Sequence, residues 1–312
     1  MKLSTFTLFL PPCLVVADIV APPTITTEVV SNTTELKEGV FRYHYENNTT
    51  ACTVITLIGV GTAMKVDDYD LLAVEMATSR QGLIAGFIDH APGNPVKVSE
   101  SRYTRLVEAL IDKMHEVVPI CSRTGVITGS INHPPTYVIG GHSASGGAAM
   151  RSLSSLSFSP VGFIGLSPFR ITNDMDRISI PALYWGFSTE TCGVVVKFAA
   201  DAAYSLSSPD HGRVLYQLQN PSGKPSHCVF ANNGCLPICP TSHRKDYDWI
   251  RPAVGQSIGK FLAVVETNTT FSRDSLRLQL PKQVSKLDLK MFVNEENIAP
   301  NFVGLPEFEA LW

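Results

Sequence analysis

The sequence predicts an α/β protein built on a mostly parallel, doubly wound sheet. Short apolar runs typical of buried strands alternate along the chain with longer segments of helical periodicity. The apolar runs contain few polar positions, as expected for strands that helices cover on both faces of a parallel sheet. With 312 residues, 44% of them hydrophobic and 17% charged, the chain is long and apolar enough to bury a core, and its composition excludes a disordered protein.

The strand predictions follow the apolar runs in chain order. The run GLIAGFIDH at 82–90 is almost continuously apolar, which is typical of a strand buried on both faces. We predict strands over 41–45, 53–60, 82–90, 136–141, 161–169, 181–187 and 212–219.

The helix predictions fill the spaces between these strands. The clearest is SRYTRLVEALIDKMHEVV at 101–118, in which apolar residues recur at i, i+3, i+4 and i+7. We predict helices over 67–80, 101–118, 144–155, 190–207 and 254–266. Strands that alternate with helices in this way favour parallel pairing.

The N-terminus has the composition of a secretory signal peptide over residues 1–17. Lys2 precedes an apolar run that ends in small residues suited to cleavage, and the run is too short to span a membrane. We expect an extended lead-in over 18–40, an α/β domain over 41–268 and a C-terminal extension over 269–312 packed on the same domain. The expectation is a secreted, extracellular protein without a transmembrane span.

Cysteines and glycosylation sequons are consistent with export. Of seven cysteines, Cys13 lies in the signal peptide, and an even number in an exported chain predicts three disulfides of unknown connectivity. The remaining cysteines are Cys52, Cys121, Cys192, Cys228, Cys235 and Cys239. Sequons that would make the protein a glycoprotein begin at Asn32, Asn47, Asn48 and Asn268.

The net charge and the spacing of cysteines and histidines indicate which ligands the protein is not expected to bind. The net charge of −3 provides no basic field, so nucleic acid is not expected as a partner. The Cys/His-containing segment 227–243 could be read as a zinc site, but its spacing matches no common zinc pattern and export favours disulfides. We expect no metal and no cofactor.

The segment YVIGGHSASGGAAM at 137–150 surrounds Ser143 with very small residues at the junction of a predicted strand and helix. A nucleophilic serine on a sharp strand-to-helix turn needs such neighbours, here Gly141, Ser145 and Gly146. The segment departs from G-x-S-x-G because Ser145 replaces the second glycine. Ser145 is itself a rival nucleophile, and a packing turn without chemistry is the structural alternative.

The chain resembles the α/β-hydrolase superfamily over roughly residues 40 to 268. Three features carry this resemblance: the segment GGHSASGGAA, the Gly-rich loop after TVITLIGVGT and a late histidine. It looks most similar to the chlorophyllase, platelet-activating-factor acetylhydrolase and dienelactone hydrolase group of serine esterases. The resemblance implies the α/β-hydrolase fold with Ser143 as nucleophile. It also implies an oxyanion hole formed by the N–H of Ala144 and one N–H from Val60, Gly61 or Thr62.

The catalytic base is expected in the loop after the last core strand. His227 lies there beside Cys228, whose disulfide could fix the loop. His243 is the second choice, and His211 is a poor one because it precedes the strand.

The carboxylate that would orient the catalytic histidine is the residue that this chain matches least well. The esterases that the chain resembles often have an aspartate after the strand that follows the nucleophile turn, where this chain has Ser167 in GLSPF. Glu190, just past the strand 181–187, is the predicted acid, and Asp174 or Asp176 is the alternative.

These observations predict a secreted serine hydrolase that cleaves a carboxylic ester through an acyl-enzyme on Ser143 with His227 as base. The expected partner is a small-molecule ester, with a lipophilic one among the alternatives, and the expected state is a monomer. The other functions considered are a catalytically inactive binding protein of the same fold and an amide or thioester hydrolase.

Overall fold

A computed structural model gives the structure of the chain. It describes residues 24–31, 39–50, 52–62, 64–90, 99–122, 136–169, 178–188, 199–219, 227–232, 248–280 and 289–295.

Within the described residues, nine strands form one sheet in the order β1-β2-β4-β3-β5-β6-β7-β8-β9. The strands are β1 Ile25–Ser31, β2 Val40–Glu46, β3 Val54–Gly59, β4 Leu83–Asp89, β5 Tyr137–His142, β6 Gly162–Leu166, β7 Ala182–Phe187, β8 Arg213–Leu218 and β9 Leu289–Val293. The six strands from β4 to β8 in this order pair in parallel, whereas β1, β2 and β9 join the sheet in antiparallel fashion. The sheet is therefore mostly parallel, as the sequence predicts.

Helices follow most of the strands. They are α1 Asp70–Ser79, α2 Glu100–Asp112, α3 Met114–Val117, α4 Pro119–Ser122, α5 Ala144–Ser152, α6 Ala199–Leu206, α7 Ile250–Thr267 and α8 Arg273–Leu276. Helices α1 and α7 pack together over one face of the sheet, and α2, α5 and α6 contribute to the core on the other. The sheet is thus covered on both faces, which explains why every residue of β3, β5, β6, β7 and β8 is buried.

The structure modifies some of the predicted boundaries. The predicted helix 101–118 divides at Lys113 into α2 and α3, and α3 keeps Met114 and Val117 buried in the same core. Helix α6 begins at Ala199, and the preceding part of the predicted helix 190–207 lies outside the described residues.

The segments on either side of the predicted domain both contribute to the sheet. Strand β1 lies within the predicted lead-in 18–40 and pairs with β2, whereas β9 lies within 269–312 and pairs with β8. Both edges of the sheet are therefore formed by segments outside 41–268. The predicted signal peptide, 1–17, lies outside the described residues.

Some of the predicted disulfide cysteines and glycosylation sequons lie within the described residues. Cys52, before β3, is bonded to Cys121 in α4, and Cys228 is also disulfide-bonded. The side chains of Asn47, Asn48 and Asn268 are exposed. Within the described part of the chain, no helix has the length and apolar character needed to cross a membrane.

Candidate active site

Ser143 occupies the sharp turn between the end of β5 and the start of α5. Its backbone has φ 57° and ψ −131°, a conformation that is strained for a residue with a side chain. A Cβ atom on Gly141 would lie 2.5 Å from Gly146 N, and one on Gly146 would lie 2.6 Å from Pro168 Cβ. The small residues around Ser143 are therefore needed for the turn to close, as the sequence pattern suggests.

The rival serine points away from the turn. Ser145 is fully buried in the first turn of α5, and its hydroxyl donates to the carbonyl oxygen of Val60. Ser143 is only half-buried, so it is the serine whose hydroxyl is accessible at this edge of the sheet.

The Ser143 turn is joined to the next strand. Ser143 N donates to the Leu166 carbonyl at 3.1 Å, and Phe169 N donates to the Ser143 carbonyl at 2.7 Å. These bonds bring the turn after β5 beside the turn after β6, which contains Ser167. The site therefore lies at the carboxyl ends of parallel strands, where open α/β sheets bind their ligands.

His227 reaches this same edge from the loop after β8. It is buried, and its Nδ1 lies 2.9 Å from the Ser167 Oγ. Among the described residues, no hydrogen bond joins the His227 ring to the Ser143 hydroxyl, a contact that is often long in unliganded sites. His211 is exposed just before β8, at the amino end of that strand and so away from the carboxyl ends where Ser143 lies. His243 lies outside the described residues.

Ser167, in the turn directly after β6, contacts His227. It is 3% exposed, has φ 42°, and donates its N–H to the Trp185 carbonyl at 2.7 Å. A carboxylate only accepts from Nδ1–H and so fixes the imidazole tautomer, whereas a hydroxyl can either donate or accept. Ser167 therefore gives the ring of His227 a hydrogen-bond partner that carries no charge. The predicted acids Glu190, Asp174 and Asp176 lie outside the described residues.

The loop after β3 lies beside the Ser143 turn, but two of its N–H groups already donate hydrogen bonds within the protein. Val60 N donates to Ile88 O at 2.9 Å, and Gly61 N donates to the Tyr69 hydroxyl at 2.9 Å. Neither of these predicted oxyanion donors is free in this structure. Thr62, the remaining candidate in the loop, has no acceptor for its N–H among the described residues. Ala144 is the first residue of α5, so its N–H has no acceptor within the helix.

A buried polar network lies beneath the site. His142, the last residue of β5, is fully buried, with Nε2 3.0 Å from the His227 carbonyl oxygen and Nδ1 2.6 Å from the Tyr69 hydroxyl. Since a carbonyl oxygen only accepts, Nε2 of His142 carries the proton and its Nδ1 accepts from Tyr69. Burial and, secondly, the charge of His227 lower the pKa of His142 well below its usual range, so the ring stays neutral.

Sequence reasoning missed this network. Tyr69 and His142 are 73 residues apart, and neither has a local signal that distinguishes it from an ordinary core residue. The only available hint was a histidine directly before the serine in GGHSAS.

No protein-family model matches this chain, and a search of curated proteins finds no significant match. The functional assignment therefore depends on the geometry at Ser143 and on the chemistry of its neighbours.

Proposed function

We propose that the chain is a secreted serine hydrolase of the α/β-hydrolase fold that cleaves a carboxylic ester. The observation that carries the proposal is the strained backbone of Ser143 between β5 and α5. Such a turn holds a serine hydroxyl out at the carboxyl edge of the sheet, where a carbonyl can approach. Non-glycine residues persist in this conformation only where the surrounding structure enforces it, and functional sites are where this occurs.

The neighbouring groups support an acyl-transfer reaction. Ser143 Oγ attacks the ester carbonyl as His227 accepts the hydroxyl proton, and that proton then goes to the departing alcohol. Water, activated by His227, attacks the acyl-enzyme, releases the acid and restores the Ser143 hydroxyl. The proposed donors to the negative oxygen that forms in each step are the N–H of Ala144, at the start of α5, and the N–H of Thr62.

A fluorophosphonate probe tests this proposal, because it reacts covalently with an activated serine. The wild-type protein should be labelled and Ser143→Ala should not. Ser145→Ala is the matched control, since it removes a hydroxyl two residues away that is hydrogen-bonded to Val60 O, and it should keep labelling in part. Loss of labelling in Ser145→Ala with retention in Ser143→Ala would contradict the assignment. Turnover of matched ester, thioester and amide substrates then distinguishes the bond type.

One observation favours a second candidate, a binding protein without catalysis. Ser167 gives the His227 ring a neutral partner where a triad would have a carboxylate. Absence of labelling in the folded wild-type protein, together with no ester turnover, would favour this candidate.

A further inference from the structure

We propose that Tyr69 and His142 are positioning residues that hold two loops in a fixed relation. The first is the loop after β3 that contains Val60, Gly61 and Thr62, here called the oxyanion loop, and the second carries His227, the proposed base. This inference rests on the proposed function. It concerns two residues that do not reach the substrate and that act through Gly61 and His227.

The two side chains form a continuous chain of hydrogen bonds between the loops. Gly61 N–H donates to the Tyr69 hydroxyl, Tyr69 donates to Nδ1 of His142, and Nε2–H of His142 donates to the His227 carbonyl. The single proton of the Tyr69 hydroxyl goes to His142, so its 3.0 Å approach to Met64 Sδ is a packing contact. The chain of hydrogen bonds therefore has one direction, in which Tyr69 and His142 each accept one hydrogen bond and donate one.

Packing fixes the same arrangement. A Cβ atom on Gly61 would lie 2.7 Å from Nδ1 of His142, so the oxyanion loop rests directly on the histidine ring. The rings of His142 and His227 lie 4.6 Å apart, centre to centre, and Tyr69 stacks on Phe87 of β4 at 4.8 Å. A displacement of the His142 ring would therefore move both the oxyanion loop and the base.

A purely structural role would not require polar groups here. Tyr69 and His142 are fully buried, and burying polar atoms is unfavourable unless each finds a partner. Apart from each other, the hydrogen-bond partners of Tyr69 and His142 are backbone groups of the two loops that the proposed reaction uses. Catalysis requires such groups to be held closely in place, since small displacements weaken transition-state stabilisation more than substrate binding.

Two substitutions interrupt the chain of hydrogen bonds. Tyr69→Phe removes the acceptor of Gly61 N–H and the donor to His142, and His142→Leu removes both of that ring's bonds. We expect each to lower kcat about 10-fold or more while KM changes less than about 3-fold, because a lost buried partner weakens the positioning of the two loops. Fluorophosphonate labelling should slow by a similar factor.

A conservative substitution and a matched control separate positioning from stability. His142→Gln keeps an acceptor and a donor on one planar group, so its kcat should stay within about 3-fold of the wild-type value. Tyr184→Phe removes another buried tyrosine hydroxyl, one that bonds to Ser207 Oγ at 2.6 Å, and kcat should not change. Circular dichroism and thermal unfolding give the folded fraction to which each kcat refers.

The outcomes distinguish this role from the proposed function. A labelled Tyr69→Phe protein with kcat within 2-fold of wild type would overturn the positioning role alone. Equal losses of kcat in His142→Gln and His142→Leu would also overturn it, because the hydrogen bonds would then not be what matters. A folded wild-type protein that neither labels nor turns over ester would overturn the proposed function and this role together.

Discussion

Replacing Ser167 with alanine tests whether a neutral hydroxyl is sufficient to orient His227, the proposed catalytic base. The Ser167 Oγ lies 2.9 Å from Nδ1 of His227, and both side chains are buried. Alanine removes that oxygen and changes little else, because Ser167 is held in place by its backbone bond to Trp185.

The magnitude follows from the burial of the bond. When a buried donor loses its hydrogen-bond partner, the free energy of the arrangement that contains it rises by about 1–3 kcal/mol. We take this as the loss of transition-state stabilisation when the His227 ring is no longer held by Ser167. At about 1.4 kcal/mol per factor of ten, kcat/KM should fall about 5- to 150-fold. Removal of a triad carboxylate instead costs about 10⁴-fold, because it also removes the charge that stabilises the imidazolium.

The assay is the hydrolysis of a soluble nitrophenyl ester by wild type, Ser167→Ala and Glu190→Gln, with Ser152→Ala as control. Ser152 is also a buried serine, bonded to Ala149 O at 2.8 Å within α5, and its removal should not change kcat/KM. If Ser167→Ala changes kcat/KM less than 2-fold while Glu190→Gln loses about 10³-fold or more, Glu190 orients the histidine and the reasoning about Ser167 is refuted.

Two further predictions concern stability. Burial raises the pKa of Asp201 from 3.8 to about 6, so its contribution to stability is complete below pH 3.8 and is lost as the pH rises through 6. Asp201→Asn should therefore stabilise the protein at pH 7.5, by at most about 3 kcal/mol, with no gain near pH 4; thermal unfolding at both pH values measures this, and equal effects at the two would contradict it. Replacing both Cys52 and Cys121 with serine should lower the free energy of unfolding by about 4 kcal/mol, because the bond closes a loop with a sequence separation of 69. Guanidinium unfolding measures that loss, and an unchanged midpoint would contradict it.

The central strands were predictable because a strand buried on both faces is a nearly continuous apolar run in the sequence. The predicted run 82–90 corresponds to β4 at Leu83–Asp89, and 181–187 corresponds to β7 at Ala182–Phe187. Strand β1 was not identified as a strand because it lies at the edge of the sheet. Its exposed positions, such as Val29, remove the apolar signal on which the other predictions depended.

In the site, local features were predictable and long-range partners were not. The turn at Ser143 requires small residues at the neighbouring positions, so the turn can be recognised from the sequence. The contact of His227 with Ser167 joins residues 60 positions apart, and no local sequence pattern indicates it. The choice among Val60, Gly61 and Thr62 depended on which backbone N–H groups find acceptors, and only the folded structure gives this information.

Ser143 and Ser167 directly follow the adjacent parallel strands β5 and β6, and each has a positive φ. Each such conformation raises the free energy of the folded state by about 1–3 kcal/mol, so together they use a substantial part of the 5–15 kcal/mol that stabilises a typical domain. This leaves the protein a smaller margin for destabilising changes elsewhere, and core substitutions that another α/β domain would survive should reduce the amount of folded protein in the cell. Relief of either strain by glycine would widen that margin at the expense of the hydroxyl. Stability and the side chains of this site are therefore opposed at the same two backbone positions.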